Sequence, residues 1–331
     1  MDTANRTPDE VADLHVPVLQ ARCVELLAPA LTQPGAVVID ATLGMGGHTA
    51  ALLAALPNCR VVGIDRDPQA IALATQRLAP YADRFIAVQA TYDTIDDVAA
   101  RHGRGGQVDG ILMDLGVSSL QLDDAERGFS YVRDAELDMR MSDTGPTAAQ
   151  LLASASEVEL RRILRVYGEE KFAPQIAKRI VDQRQQRPLR RTSELAELVK
   201  TVIPAPARRT GGNPAKRTFQ ALRIAVNDEL RILEAALPRA IASLAVGGRI
   251  VVESYHSLED RLVKAALAAG VNPPAPVGLP VLLPEHEPYL RLLTRGAERA
   301  DAAEIANNSR SQSVRLRAAE RIRSANVRSK R

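Results

Sequence analysis

A short apolar segment that leads into a glycine-rich turn constrains the fold of this chain more than any other feature. Residues 37–41 read Val-Val-Ile-Asp-Ala, and Gly44, Gly46 and Gly47 follow just before a helical segment. Glycine reaches positive φ and lets a ligand approach the backbone closely, so glycines between a strand and a helix predict a cofactor on the turn. A tight turn without a ligand would show the same spacing.

Acidic residues near the turn indicate which cofactor it suits. Asp40 precedes the turn, and Asp65 ends a second apolar segment, where a carboxylate typically binds ribose hydroxyls. Thr49 stands where a dinucleotide fingerprint has its third glycine. An acid before the turn suits a cation, so these features favour S-adenosylmethionine, which has an ammonium, a sulfonium and a ribose but no phosphate. NAD is the alternative.

The order of apolar segments predicts an α/β fold. Strands are expected near residues 37–40, 60–65, 84–89, 110–114 and 249–252, with helical segments between them. This alternation is typical of a doubly wound, mostly parallel sheet. From about Asp138 to Pro214 the pattern is helical without strands. We therefore predict a first part of the α/β domain over 1–137, an inserted helical domain over 138–214 and a second part with a basic tail over 215–331.

Charge is unevenly distributed along the chain. The 331 residues carry a net charge of +3 and the pI is about 9.0, which permits an anionic partner. One basic zone lies at residues 310–331. The other lies in the middle of the chain and comprises Lys178, Arg179, Arg184, Arg187, Arg190, Arg191, Lys200, Arg208, Arg209, Lys216, Arg217 and Arg223. Such zones suit nucleic acid, although a charged run is also typical of a solvated helix face.

Cysteine usage and the N-terminal sequence bear on location. Cys23 and Cys59 are isolated and have no spacing suited to a metal, so we expect no metal site and a reducing compartment. The first residues are polar, and no apolar run is long enough to cross a bilayer. We expect a soluble, cytoplasmic protein.

The fourth predicted strand ends at Asp114, at the edge where ligands bind in open α/β sheets. Asp114 is a candidate hydrogen-bond acceptor for a cofactor or a substrate amine, and Ser118 or Ser119 is the alternative catalytic acceptor. Ser118, Ser119 and Gln121 follow it and supply short polar groups. The alternative is a strand-end cap followed by turn-forming serines.

Several residues are candidates for RNA contact. Phe129 and Tyr131 could stack on a base in a chain with only 3% aromatic residues, or they could be core residues. Lys216 and Arg217 precede a long helix and could bind a phosphate, or simply be solvated. His256 follows the fifth strand and could be a general base, an RNA contact or a structural residue.

A capping box is predicted for the helix after the fifth strand. Ser257 and Asp260 have the spacing of such a box, with the serine as the N-cap.

Long motifs resemble those of the bacterial small-subunit rRNA methyltransferase H family, also called MraW. The resemblance covers nearly the whole chain and is far more specific than a glycine turn. It is carried by His15–Leu19, Asp40–Thr49, Gly63–Pro68, Leu112–Tyr131, Leu137–Met141, Tyr167–Phe172, Arg217–Ile224, His256–Arg261 and Ser309–Arg317.

This resemblance implies a class I (Rossmann-like) methyltransferase domain with an inserted helical domain. It implies that S-adenosylmethionine methylates N4 of a cytidine in the decoding centre of 16S rRNA, within an assembled or nearly assembled small subunit. The cofactor positions of the family fall on Gly46, Gly47, His48, Asp65, Tyr92, Asp114 and Gln121, and we add Gly44 and Asp40 from the turn. Arg190, Arg191, Lys216 and Arg217 are the expected RNA-binding cations.

The chain departs from the family pattern at four positions. Leu120 replaces the usual proline, Asn213 the usual histidine, Glu253 an apolar residue and Tyr255 a phenylalanine. These departures leave the cofactor motifs intact but do not assign a role to Asn213, Glu253 or Tyr255.

Two other functions share some of these features. A dinucleotide-dependent oxidoreductase would have the same sheet but gives no reason for the basic insert. A non-catalytic rRNA-binding assembly factor would have the basic zones but gives no role to Asp40, Gly46, Asp65 and Asp114.

Overall fold

The computed structural model describes residues 17–118, 120–121, 125–131, 133–208, 213–273 and 286–324. The chain divides into two compact units, one made of residues 1–116 and 231–331 and the other of residues 117–230. The predicted insert, 138–214, falls inside the second unit, which begins earlier and ends later. Its limits are wider because Phe129 and Phe219, on either side of the predicted insert, share its apolar core.

The first unit contains a sheet and the helices that cover it. Its strands are β1 (Ala36–Asp40), β2 (Cys59–Asp65), β3 (Phe85–Gln89), β4 (Val108–Asp114), β5 (Leu244–Ser254), β6 (Leu290–Leu292) and β7 (Arg315–Arg321). Its helices before the insert are α1 (Gln20–Leu27), α2 (Gly47–Ala55), α3 (Pro68–Arg77) and α4 (Ile95–His102).

The sheet is doubly wound and mostly parallel, as predicted. Its strand order is β3-β2-β1-β4-β5-β7-β6. The strands from β3 to β5 pair in parallel, whereas β7 is antiparallel to both β5 and β6. Since β1 and β4 are adjacent and the chain leaves them toward the same edge, the glycine turn and Asp114 lie at one edge of the sheet.

Both faces of this sheet are buried, which explains why its strands read as continuous apolar runs. Val37 and Ile39 point into one apolar core, and Ala36 and Val38 point into the other. None of the helices among the described residues is long and apolar enough to span a bilayer.

The second unit is helical, as the absence of strand periodicity predicts. Its helices are α5 (Ala148–Ser154), α6 (Glu157–Gly168), α7 (Ala173–Gln186), α8 (Thr192–Val202), α9 (Ala205–Arg208) and α10 (Lys216–Asn227). Helices α5 to α8 and α10 pack around one apolar core, in which the rings of Tyr131 and Phe219 meet edge-on with centroids 5.6 Å apart.

The C-terminal part of the chain differs in detail from the sequence pattern. Helix α11 (Glu229–Ser243) follows α10 after Asp228, which adopts φ 54°, and Pro238 lies inside α11. Helix α12 (Ser257–Val271) follows β5, and α13 (Ala302–Asn307) precedes β7.

The predicted capping box is shifted by one residue. The N-cap of α12 is His256, whose Nδ1 accepts from the Glu259 N–H, and the Glu259 carboxylate accepts from the His256 N–H. Asp260 instead accepts from Arg315 and Arg317 of β7, at 3.0 and 2.7 Å. Burial works against the charged form of Asp260, but these two arginines hold its pKa below the usual value.

Candidate active site

The glycine turn after β1 has the conformation that its sequence predicts. Gly44 and Gly46 adopt φ of 51° and 74°, which other residues rarely do. A Cβ on Gly46 would lie 3.0 Å from Leu78 Cδ1, and one on Gly47 would lie 2.5 Å from Pro17 Cγ. Packing against the protein therefore accounts for glycine at positions 46 and 47, and positive φ accounts for it at position 44.

Asp65, at the end of β2, is bonded to the glycine turn. Its two carboxylate oxygens accept from the N–H groups of Gly44 and Asp67, at 2.8 and 2.9 Å. Burial raises the pKa of Asp65 to about 6, although these two hydrogen bonds oppose the shift. A carboxylate has about four lone-pair sites, so Asp65 can still accept from a pair of ribose hydroxyls. It fits the predicted cofactor.

Asp40 lies beneath the turn rather than facing a ligand. It is 1% exposed, and its two oxygens accept from the Thr42 N–H and the Thr49 hydroxyl, at 3.2 and 2.7 Å. Burial raises its pKa. Asp40 therefore holds the turn to the start of α2, and its direct contact with the cofactor stays a prediction.

Asp114, at the end of β4, is fixed on both its backbone and its side chain. Its N–H donates to the Thr42 hydroxyl at 2.6 Å, and its Oδ1 accepts from the Tyr255 hydroxyl at 2.7 Å. Burial and the neighbouring Glu253 carboxylate raise the pKa of Asp114 to about 7. A carboxylate with this pKa can accept a proton near neutral pH.

Behind Asp114 lies a cluster of buried polar side chains. His48 Nε2 is 3.3 Å from Glu253 Oε2 and 3.7 Å from Asp114 Oδ2, and Glu253 is 0% exposed. Burial disfavours the imidazolium, but Glu253 and then Asp114 and Asp40 outweigh it and raise the pKa of His48 to about 9.

Cys23 completes this buried cluster. Ligand-type atoms of Cys23, His48 and Glu253 lie within 4.8 Å of one another. Burial raises the pKa of the Cys23 thiol well above its usual value, and His48 also keeps its proton at neutral pH. The opposite charges of His48 and Glu253 pair within this cluster, at 3.3 Å.

The other predicted cofactor residues have different surroundings. Tyr92 is half-buried after β3 and packs against the sheet core. In the second unit, Gln121 Oε1 accepts from the Ser118 N–H at 3.0 Å, and the Gln121 N–H donates to the Ser118 hydroxyl. Ser119 lies outside the described residues.

The predicted RNA-binding cations of the second unit are not equally available. Arg190 and Lys216 are exposed, and Arg217 is exposed while donating to the Glu169 carbonyl. Arg191 pairs with Asp134 at 2.9 Å. Arg190, Lys216 and Arg217 are therefore the better candidates for phosphate contact.

The predicted base-stacking residues Phe129 and Tyr131 belong to the core of the second unit. Phe129 is 7% exposed, and Tyr131 is half-buried against Phe219. His256 is bonded to Glu259 as the cap of α12. These contacts favour the alternatives named from the sequence, core residues for Phe129 and Tyr131 and a structural residue for His256, and RNA contact by these side chains stays a prediction.

Sequence reasoning missed Tyr255 and Glu253, although both stand out as departures from the family pattern. Glu253 pairs directly with Asp114 in the register of β5 against β4. Ligands bind at the carboxyl ends of strands in open α/β sheets. The position of Glu253 and Tyr255 at the end of β5 could therefore have indicated that they belong to the site.

Comparison with known proteins identifies the family. The MraW methylase family matches residues 12–322. The protein named ribosomal RNA small subunit methyltransferase H in Beutenbergia cavernae is 66% identical to this chain, over 97% of both chains. The protein of the same name in Nocardioides sp. is 59% identical to it, over 93% of this chain and 96% of the relative.

A solved rRNA methylase from Streptococcus thermophilus aligns with 97% of this chain and 100% of its own, at 11% identity and a TM-score of 0.41. The order of strands in the sheet is that of class I methyltransferases, as expected. With the family match spanning both units, this chain belongs to the MraW methylase family.

Proposed function

We propose that this chain transfers a methyl group from S-adenosylmethionine to N4 of a cytidine in the decoding centre of small-subunit rRNA. The observation that carries this proposal is the position of the Asp114 carboxylate. It lies at the same edge of the sheet as the glycine turn, accepts a hydrogen bond from Tyr255 and has a pKa of about 7. The names of the relatives support small-subunit rRNA as the substrate. We expect the reaction to take place in the cytoplasm, on an assembled or nearly assembled subunit, without a metal.

The residues of the first unit fit this cofactor. Asp65 would hold the ribose hydroxyls, and the backbone at Gly44 and Gly46 would lie against the cofactor. S-adenosylmethionine supplies, when bound, a methyl group on a positively charged sulfur.

The substrate amine needs help from the protein mainly in alignment. The N4 lone pair of cytosine is delocalised into the ring, so it is a weak nucleophile. Holding the amine in line with the methyl group can lower the barrier by roughly 7–11 kcal/mol. Asp114 would then accept the proton that the amine loses, at Oδ2, because its Oδ1 already accepts from Tyr255.

The assignment of Asp65 predicts a loss of cofactor affinity. Asp65→Ala removes charge-assisted hydrogen bonds, which are worth about 1.5–3 kcal/mol. Calorimetric titration with S-adenosylhomocysteine should show one to two orders of magnitude weaker binding. Asp83→Ala, at an exposed acid of the same unit, is the control. An unchanged dissociation constant in a folded Asp65→Ala protein would rule out the assignment.

The basic surface of the second unit predicts a salt-dependent RNA affinity. Replacing Arg190, Lys216 and Arg217 by alanine should reduce the log–log salt slope by about 0.7–0.9 for each phosphate that the protein no longer neutralises. Arg101→Ala, at an exposed arginine of the first unit outside both basic zones, is the control. Equal slopes in the triple variant and the wild type would place the RNA on another surface.

The product tests the proposed function. Purified protein, labelled S-adenosylmethionine and small subunits from a strain without the enzyme should give N4-methylcytidine after digestion of the rRNA. Label on a ring carbon, a ribose or a protein would overturn the proposed reaction. No label, with tight NAD binding in a parallel titration, would favour an oxidoreductase; no label and no cofactor binding would favour an assembly factor.

A further inference from the structure

Asp114 is surrounded by groups whose charges oppose one another. Among the described residues, those facing it are Glu253 and Tyr255 from β5 and its end, His48 from α2, Asp40 from β1 and Cys23 from α1. Of the carboxylates, Asp40 and Glu253 are fully buried, and Asp114 has a side chain that is 28% exposed. Asp114 is therefore the carboxylate of the cluster that a substrate can reach.

Each neighbour acts on Asp114 in a definite direction. The Tyr255 hydroxyl donates to Oδ1 and stabilises the carboxylate, and the His48 imidazolium, 3.7 Å from Oδ2, does the same. The Glu253 carboxylate opposes both, because like charges in a buried site disfavour ionisation.

Glu253 faces both His48 and Asp114. Its Oε2 lies 3.3 Å from His48 Nε2, and it pairs with Asp114 in the strand register. Burying a carboxylate is costly, and the His48 imidazolium offsets part of that cost while the charge of Glu253 still acts on Asp114.

We propose that Tyr255, His48 and Glu253 are positioning residues that hold Asp114 in one orientation and set its proton affinity for the methyl transfer. The inference rests on the proposed function. In the step, the amine nitrogen bonds to the methyl carbon, the carbon–sulfur bond breaks with its electron pair left on sulfur, and the N–H proton passes to Asp114 Oδ2.

Two variants should move the pH dependence in opposite directions. Transfer should rise with pH as Asp114 loses its proton and then reach a plateau. Tyr255→Phe removes a hydrogen-bond donor to the carboxylate and should move the midpoint of this rise to higher pH by about half to one unit. At pH values below the midpoint, this shift lowers the rate roughly three- to tenfold. Glu253→Gln removes a like charge and should move the rise downward in the pH range where His48 stays protonated.

The experiment has a readout that does not depend on catalysis. Single-turnover rates from pH 5.5 to 9 are measured for the wild type, both variants and the control Tyr81→Phe, which lies outside the cluster. Carbon-13 NMR of aspartate carboxyls in the cofactor-free protein then follows Asp114, identified as the signal that Asp114→Asn lacks. Its midpoint should move as the rates do.

The outcomes separate the inference from the proposed function. A midpoint that stays in place in Tyr255→Phe, or moves in the same direction in both variants, would overturn the inference. A purely structural role would lower the plateau without moving the midpoint. If Glu253→Gln does not fold, Tyr255→Phe decides alone, because it loses only a hydroxyl. If N4-methylcytidine is absent, the proposed function fails, while the NMR titration still tests the cluster.

Discussion

Asp114→Asn is expected to lower the rate of methyl transfer by about 10²–10⁴-fold, the usual contribution of a proton acceptor. The amide keeps an oxygen that can accept from the Tyr255 hydroxyl, so the arrangement of β4 and β5 should persist. What it loses is the ability to take up the proton at Oδ2. Because the family resemblance also places Asp114 at the cofactor, the rate is compared at saturating S-adenosylmethionine.

Single-turnover kinetics at saturating S-adenosylmethionine measure this effect, since they separate the chemical step from binding. Asp97→Asn, an exposed acid in the first turn of α4, is the matched control and should transfer methyl groups at the wild-type rate. If more cofactor restores the rate of Asp114→Asn, then Asp114 binds the cofactor and another group accepts the proton.

The sheet could be predicted from the sequence because its strands are apolar on both faces. Segments such as residues 37–40 and 110–114 are continuous apolar runs, unlike the alternating apolar and polar faces of a solvent-exposed helix. Each ends in an acid at the edge of the sheet where ligands bind. The shorter strand β6 was missed, since only Leu290 of its residues is buried. The glycine turn was predictable because positive φ leaves few alternatives to glycine.

The surroundings of individual polar residues could not be predicted in the same way. Asp40 and Asp65 both end strands beside the glycine turn, yet the Thr49 hydroxyl holds Asp40 beneath it while Asp65 keeps a partly exposed side chain. Phe129 likewise follows the strand-end loop in sequence but packs into the core of the second unit. The position of a residue in the sequence predicts at which edge of the sheet it lies. Whether its side chain is buried depends on side chains that are distant in the sequence.

The pairing of β4 with β5 joins the two departures from the family pattern into one chemical unit. Glu253 and Tyr255 are separated by one residue, and both act on Asp114. Glu253 is paired with it in the strand register, and the Tyr255 hydroxyl donates to its Oδ1. With His48, they place three ionisable groups around one carboxylate. Folding changes the pKa values of the groups in this cluster, so their protonation also affects the stability of the protein.

The stability of the protein is expected to fall as pH rises, because His48 is more basic in the folded chain than in the unfolded one. Its pKa is raised from 6.5 to about 9, so its contribution is complete below pH 6.5 and lost as pH rises through about 9. A shift of this size corresponds to roughly 3 kcal/mol. Asp114, with a pKa raised to about 7, acts in the same direction at lower pH, since the folded chain holds its proton more tightly.

Urea unfolding followed by circular dichroism at about pH 6 and pH 9.5 measures the contribution of His48. The difference in unfolding free energy between wild type and His48→Gln should shrink by roughly 3 kcal/mol between the two conditions. His102→Gln, at the end of α4 and outside the cluster, should show no such change. A difference that is the same at both pH values would mean that folding does not raise the pKa of His48, which would then be neutral at pH 9. The carboxylates of Glu253 and Asp114 would then have no cationic partner in the cluster, and the charge balance inferred around Asp114 would be wrong.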